Sequence, residues 1–209
     1  MLVKQITLGK EKFYRIIFKK KLILLFKIFL FYLFFTNIAR SDMQELLVND
    51  LEATRTLSFN FKQKIAEKEE EGNCYIKYSL LMKCKYINSK QKILISNGKS
   101  VAIIKKKYKK IYYYPLESTP LFIILDKNKI LHLIKNNKPT KIDSSVIEFE
   151  FVDVKSNKLK IIFDKKTLQL KGWETEDAYS NNVSFQISNL KKNNQIVDSF
   201  FKIPQESDL

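Results

Sequence analysis

From Leu57 onward the chain alternates, and that alternation constrains the fold more than any other feature. Leu57, Phe59 and Phe61 are apolar while Ser58, Asn60 and Lys62 are polar. A period of two belongs to a strand with one buried and one wet face. The pattern recurs in short runs. Cys74, Ile76 and Tyr78 share a face, as do Met82, Cys84 and Tyr86. Residues 91–96 and 99–104 flank Asn97-Gly98, a strong hairpin signal, and Tyr112 to Tyr114 end a further run at Pro115. Later runs cover 146–154, 159–163, 168–174, 183–190 and 200–203, with turns at Ser156-Asn157, 164–166 and Asn193-Asn194. The acidic residues 67–71 read as a turn between the first two strands. About ten strands in this order predict one antiparallel sheet, and a sheet of that size curls.

Three helical segments interrupt the strands. Asp42 and Glu45 make a capping pattern ahead of a stripe formed by Met43, Leu46, Leu47 and Leu51. Ser118-Thr119-Pro120 places a hydroxyl before a proline, and predicts a helix over 121–125 that is apolar nearly all round. A second apolar piece, 130–134, follows a charged turn at 126–129. Short helices of this composition need a concave apolar surface to cover. The fold class is therefore α+β, a curled antiparallel sheet with short helices as a lid.

The N-terminus reads differently. Residues 1–21 hold seven bases against Glu11, residues 22–35 are apolar apart from Lys27, and Thr36 to Ser41 are small or polar around Arg40. A basic leader, a short apolar core and an Ala-x-Ser exit predict a cleaved signal peptide at 1–41, cut after Ala39 or Ser41, and a mature domain at 42–209. Residues 1–41 contain nine of the 38 bases and one of the 22 acids, so the formal +16 falls to +8 after cleavage. Of the bases that remain only Arg55 is an arginine. Specific nucleic-acid readers lean on arginine forks and defined modules, and neither is present, so no nucleic-acid partner is expected. Export to the periplasm also frames the cysteines. Cys74 and Cys84 are symmetric about Ser79, which suits either a cross-strand disulfide or two reduced core thiols.

No catalytic constellation is present: the chain lacks a nucleophile elbow, an H-E-x-x-H pair and a glycine-rich phosphate loop. His132, the single histidine, sits in an apolar segment and reads as packed or on the surface. Glu148 and Glu150 share the solvated face of a strand whose other face carries Ile147, Phe149 and Phe151. Trp173 reads as strand packing. No metal and no cofactor are expected. An exported domain with this much apolar surface and no chemistry points to binding an apolar ligand.

The order of motifs resembles the LolA family of periplasmic outer-membrane lipoprotein carriers. Leu57 to Gln63 is similar to its early strand with an aromatic-x-x-Gln pattern, and Gly72 to Tyr78 with Met82 to Tyr86 to its next hairpin. Ile93 to Lys99 resembles its S-D/N-G-K turn, and Thr119-Pro120-Leu121 with Leu125 its lid helix. Phe185 to Leu190 and Phe201-Lys-Ile-Pro204 resemble its closing strands. The resemblance implies an unclosed β-barrel with a helical lid over an apolar cavity. It implies a monomeric carrier, not an enzyme, that takes acylated lipoprotein from an inner-membrane ABC transporter to an outer-membrane acceptor. A related-fold module for another lipid or hydrophobic ligand is the alternative.

On this reading the cavity is formed by Cys74, Ile76, Met82, Cys84, Ile93, Ile95 and Val101, and the lid by Leu121, Phe122, Ile124 and Leu125. One position departs from the family. Where its members commonly carry a lid-fastening Arg-Pro, this chain has Tyr78-Ser79.

Overall fold

A computed structural model describes residues 43–78, 80–87, 90–152, 158–177 and 180–209. The expected leader, the cap at Asp42, the hairpin centre at Ser79 and the expected turn at Ser156-Asn157 lie outside the described residues. Among the described residues, eleven strands form a single sheet. In chain order they are β1 (Thr56–Ile65), β2 (Lys68–Lys77), β3 (Leu81–Tyr86), β4 (Lys92–Asn97), β5 (Ser100–Lys105) and β6 (Lys110–Pro115). After the lid come β7 (Lys141–Ile142), β8 (Val146–Val152), β9 (Lys158–Asp164), β10 (Leu170–Glu176) and β11 (Asn182–Lys192). Across the sheet the order is β6-β5-β4-β3-β2-β1-β11-β10-β9-β8-β7. Two meanders, one from each half of the chain, thus meet where the first strand pairs with the last. The outermost strands, β6 and β7, do not pair, so the barrel stays unclosed.

Helix α1 covers residues 43–53, and α2 (Leu121–Leu125) and α3 (Lys127–Asn136) lie between β6 and β7. Residues Leu46–Leu209 form one compact unit. Leu47, Val48 and Leu51 are the buried stripe of α1, whereas Leu46 is 47 % exposed, so the stripe is shifted from the expected one. The expected turn at 126–129 is instead the first turn of α3. Asp126 caps it by accepting from the Lys129 N–H at 3.2 Å, which lets four apparently loop-like residues open a helix. The hydroxyls ahead of α2 do not cap it. Ser118 Oγ and Thr119 Oγ1 donate back to the carbonyls of Pro115 and Leu116, and Pro120 takes the cap position.

Glu69, Glu70 and Glu71 belong to β2, and only Ala66-Glu67 turns the chain, with Ala66 at φ 50°. The expected C-terminal strand at 200–203 is also absent. A 3-10 turn over Asp198–Phe201 buries Phe201 instead, and the tail crosses the outer face of the sheet. Lys77 Nζ and Lys83 Nζ hold it by donating to the carbonyls of Ile196 and Phe200 at 3.0 and 2.9 Å. Alternation in the tail therefore reflects packing on a sheet, not membership of one.

Two glycines let the inner face close. Gly72 pairs with Phe61 on one side and Tyr86 on the other, so the two rings meet edge to face over it with centroids 4.9 Å apart. A Cβ there would stand 2.0 Å from the Lys85 carbonyl oxygen. Gly172, at φ +156°, sits at the register shift between β9 and β10 and passes the Phe185 carbonyl, which a Cβ would meet at 2.2 Å. Trp173 then stacks on Phe185 at 4.0 Å and 9°.

Candidate functional site

The register decides which side chains look inward. Cys74 faces Cys84 and Ile76 faces Met82 across β2 and β3. The row continues from Cys84 through Leu94 to Ile103, and from Met82 through Ser96 and Val101 to Tyr114. On the other half of the sheet Gln63, Phe185, Trp173 and Ile161 stand in register. Many of these inward positions line a half-open cavity of about 550 Å³. Met82, Cys84, Val101 and Ile103 form one wall, Trp173, Val183 and Phe185 the other, and Pro120 and Leu121 of the lid the roof.

The cavity also measures the curl of the sheet. Tyr114 on β6 and Trp173 on β10 both line it, although seven strand spacings separate them. On a flat sheet at ~4.8 Å per spacing they would be about 34 Å apart.

Of the residues expected in the cavity, Met82, Cys84 and Val101 line it. Cys74 and Ile76 share their face but are fully covered. Cys74 and Cys84 are joined in a disulfide, a cross-strand bridge in the cavity wall. Ile93 and Ile95 are corrections. They face Lys85 and Lys83 on the outer side, where Ile95 joins Ala102, Ile104 and Ile111 in a cluster covered by Ile203 and Leu209. The reason is parity: an even-length loop pairs odd positions of β4 with even positions of β5, so Ile95 matches Ala102 and not Val101. In the lid Leu121 lines the cavity, while Ile124 and Leu125 are buried beneath their helix. Phe122 is half-buried, with the Lys129 ammonium 4.2 Å from its ring centroid.

A hydrogen-bonded group stands at one end of the cavity, where Gln63 and Tyr86 line it. Tyr86 donates its hydroxyl to Gln63 Oε1 at 2.8 Å, and Lys92 Nζ lies 3.6 Å from the centre of its ring. Burial and the nearby Glu70 carboxylate push the Tyr86 hydroxyl far above its ordinary pKa. Lys92 is hydrogen-bonded to Glu70. Burial alone would raise the Glu70 pKa, but the bonds and charges of Lys92 and Lys68 outweigh it and hold the carboxyl below the usual range. The cavity wall is thus mostly apolar, with a polar rim that includes the carboxylates of Glu176, paired with Lys158 at 3.7 Å, and Asp177.

The lid is fastened from its own side. Lys127, the first residue of α3, donates through Nζ to the carbonyls of Glu52 and Thr54 at 2.5 and 2.9 Å. These carbonyls mark the C-terminal end of α1, where a cation is favoured. Lys135 adds a 2.7 Å contact to Glu52. The ring of Tyr78 meets the lid, 5.9 Å from Lys127 Nζ. Burial, with Asp50 nearby, pushes its hydroxyl well above the ordinary tyrosine pKa.

His132 is exposed on α3. Glu148 and Glu150 face outward and pair with Lys141 at 3.3 Å and Lys160 at 3.5 Å. Among the described residues no group of three or more His, Cys, Asp or Glu is placed to hold a metal. The wall made by Trp173, Val183 and Phe185 escaped the sequence reading. Each lies on an inward strand position, but only the β1–β11 pairing brings that half of the sheet to the cavity.

A search of curated protein sequences finds no match to this chain. Among solved structures, a LolA superfamily protein from Nitrosomonas europaea is 6 % identical, covers 78 % of this chain and 97 % of its own, with a TM-score of 0.43. A putative outer membrane lipoprotein-sorting protein domain from Vibrio parahaemolyticus is 10 % identical over 74 % of this chain and 94 % of its own, with a TM-score of 0.42. MucB, in the MucA/MucB complex from Pseudomonas aeruginosa, is 8 % identical over 80 % of this chain and 62 % of the other, with a TM-score of 0.47. The family model for outer membrane lipoprotein carrier protein LolA matches residues 52–204, from the end of α1 through the tail on the outer face. The chain belongs to the LolA family.

Proposed function

We propose that this protein is a periplasmic carrier that holds the acyl chains of lipoproteins in the cavity between sheet and lid. The observation that carries the reading is the cavity itself: about 550 Å³, walled by aliphatic and aromatic side chains and roofed by a short helix. Each methylene moved from water into such a site contributes ~0.8 kcal/mol, so a few acyl chains offset considerable cost in displacing the lid. We read the protein as a carrier and not an enzyme. An inner-membrane ABC transporter would load it and an outer-membrane acceptor would empty it, in a direction set by relative affinity. The lid fits that cycle, because Lys127 fastens it with two hydrogen bonds to carbonyls and not with a buried fork. The test is mass spectrometry of protein recovered from the periplasm. Co-purifying acylated lipoproteins support the reading, other lipids would point to a related carrier, and a consistently empty cavity would overturn it.

A further inference from the structure

One edge of the sheet carries a patch that the carrier reading does not use. The turn from β5 into β6 reads Lys105-Lys106-Lys107-Tyr108-Lys109-Lys110. Lys106, Lys107, Lys109 and Lys110 are exposed, and among the described residues only Lys110 of these reaches an acid, Glu206 at 4.0 Å. The strand that follows adds Tyr112, Tyr113 and Tyr114, which are 44, 57 and 46 % exposed. Tyr108 in the turn is 53 % exposed. Edge strands are usually blunted by charge along the strand itself. Here the charge is gathered at one end and the strand presents phenol rings.

Two kinds of partner suit an open edge, and the backbone separates them. A partner strand needs outward N–H groups, which on β6 alternate at Ile111, Tyr113 and Pro115. The Ile111 N–H already donates to Glu206 Oε1 at 2.9 Å, and proline has none to give. Only Tyr113 is left, so strand addition has little to hold. The side chains suit a lipid surface better. Tyrosine rings sit at headgroup depth with the hydroxyl in water, and unpaired ammonium groups meet anionic phosphates.

We propose that the β6 edge and its lysine turn dock this protein on the surface of an anionic phospholipid bilayer. Tyr114 belongs both to this edge and to the cavity wall, so docking sets the cavity beside the membrane. The proposal says where the carrier meets a membrane and stands whatever the cargo is.

The test is co-sedimentation of the exported, processed protein with two kinds of vesicle. One mixes phosphatidylglycerol with phosphatidylethanolamine, and the other is phosphatidylcholine alone. The wild type should bind the anionic vesicles, weakly bind the neutral ones, and release as salt rises. The triple variant K106E/K107E/K109E should lose about tenfold or more in partitioning. Y112S/Y113S should also weaken binding, whereas K106R/K107R/K109R should keep it. Circular dichroism and retention of an apolar cavity probe show that each variant is folded. Equal binding to both vesicle types, or a charge-reversed variant that binds like wild type, would overturn the proposal. An empty periplasmic cavity would refute the carrier reading and leave this one standing.

Discussion

Reducing the bridge between Cys74 and Cys84 should cost a calculable share of the fold's stability. The bridge closes a loop with a sequence separation of 10. The chain-entropy relation for a loop of that size gives about 2.7 kcal/mol at 25 °C. For a domain of this length each kcal/mol moves the melting temperature by ~2–4 °C, so reduction should lower it by about 5–11 °C. Both cysteines are buried, at 0 and 2 % exposure, so reductant must be applied in denaturant before refolding. Trp173, the single tryptophan, packs on Phe185 and reports unfolding by its fluorescence. Oxidised and reduced samples should show parallel transitions with separated midpoints, and alkylation should find thiols in the reduced sample alone. Coincident transitions would refute the reasoning, because they would mean that the closed loop restrains nothing in the unfolded chain.

Further outcomes follow from named contacts. Phe185→Ala removes a ring that stacks on Trp173 and on Phe61 at 4.7 Å, and should destabilise by about 4 kcal/mol in urea unfolding. Glu70 is held below the ordinary carboxylate range by Lys92, so its contribution is present above the unfolded pKa and is lost as pH falls through the folded one. Acid titration of stability should therefore be less steep below about pH 4 in Glu70→Gln than in wild type. Lys127→Met removes two hydrogen bonds between α3 and the end of α1. It should speed hydrogen exchange across α2 and α3 by about tenfold while leaving exchange in β1 and β2 unchanged.

Much of the fold was legible because the buried face writes itself as alternation. Leu57, Phe59 and Phe61, and the Cys74–Cys84 symmetry about residue 79, translate directly into the observed register. The misreadings arose where local pattern serves a non-local partner. The tail around Phe201 looks strand-like because it lies on a sheet, held by Lys77 and Lys83 from strands more than a hundred residues earlier in the chain. Asp126 to Lys129 look like a turn until one carboxylate caps a helix. The sequence pattern puts Ile93 and Ile95 on the inward-looking face of their strand, and the structure puts them on the outer one. The parity of the hairpin loop, not hydropathy, chooses the face, and the outer face has its own apolar cover. Half of the cavity wall depended on a pairing between the first and last strands, which no local window reveals. At the lid, the departure at Tyr78-Ser79 is visible in the sequence, but the bonds of Lys127 to the Glu52 and Thr54 carbonyls exist only because α3 lies against the end of α1.

A cavity that takes acyl chains should draw lipoprotein out of a membrane. Inner-membrane vesicles carrying a radiolabelled acylated lipoprotein are incubated with the purified protein, and label released into the soluble fraction is counted. Wild type should release lipoprotein as a soluble complex. Val101→Asp, which sets a charge into the cavity wall, should abolish release while Glu150→Gln on the outer face should not change it. Equal release by wild type and Val101→Asp, with both folded, would contradict the account.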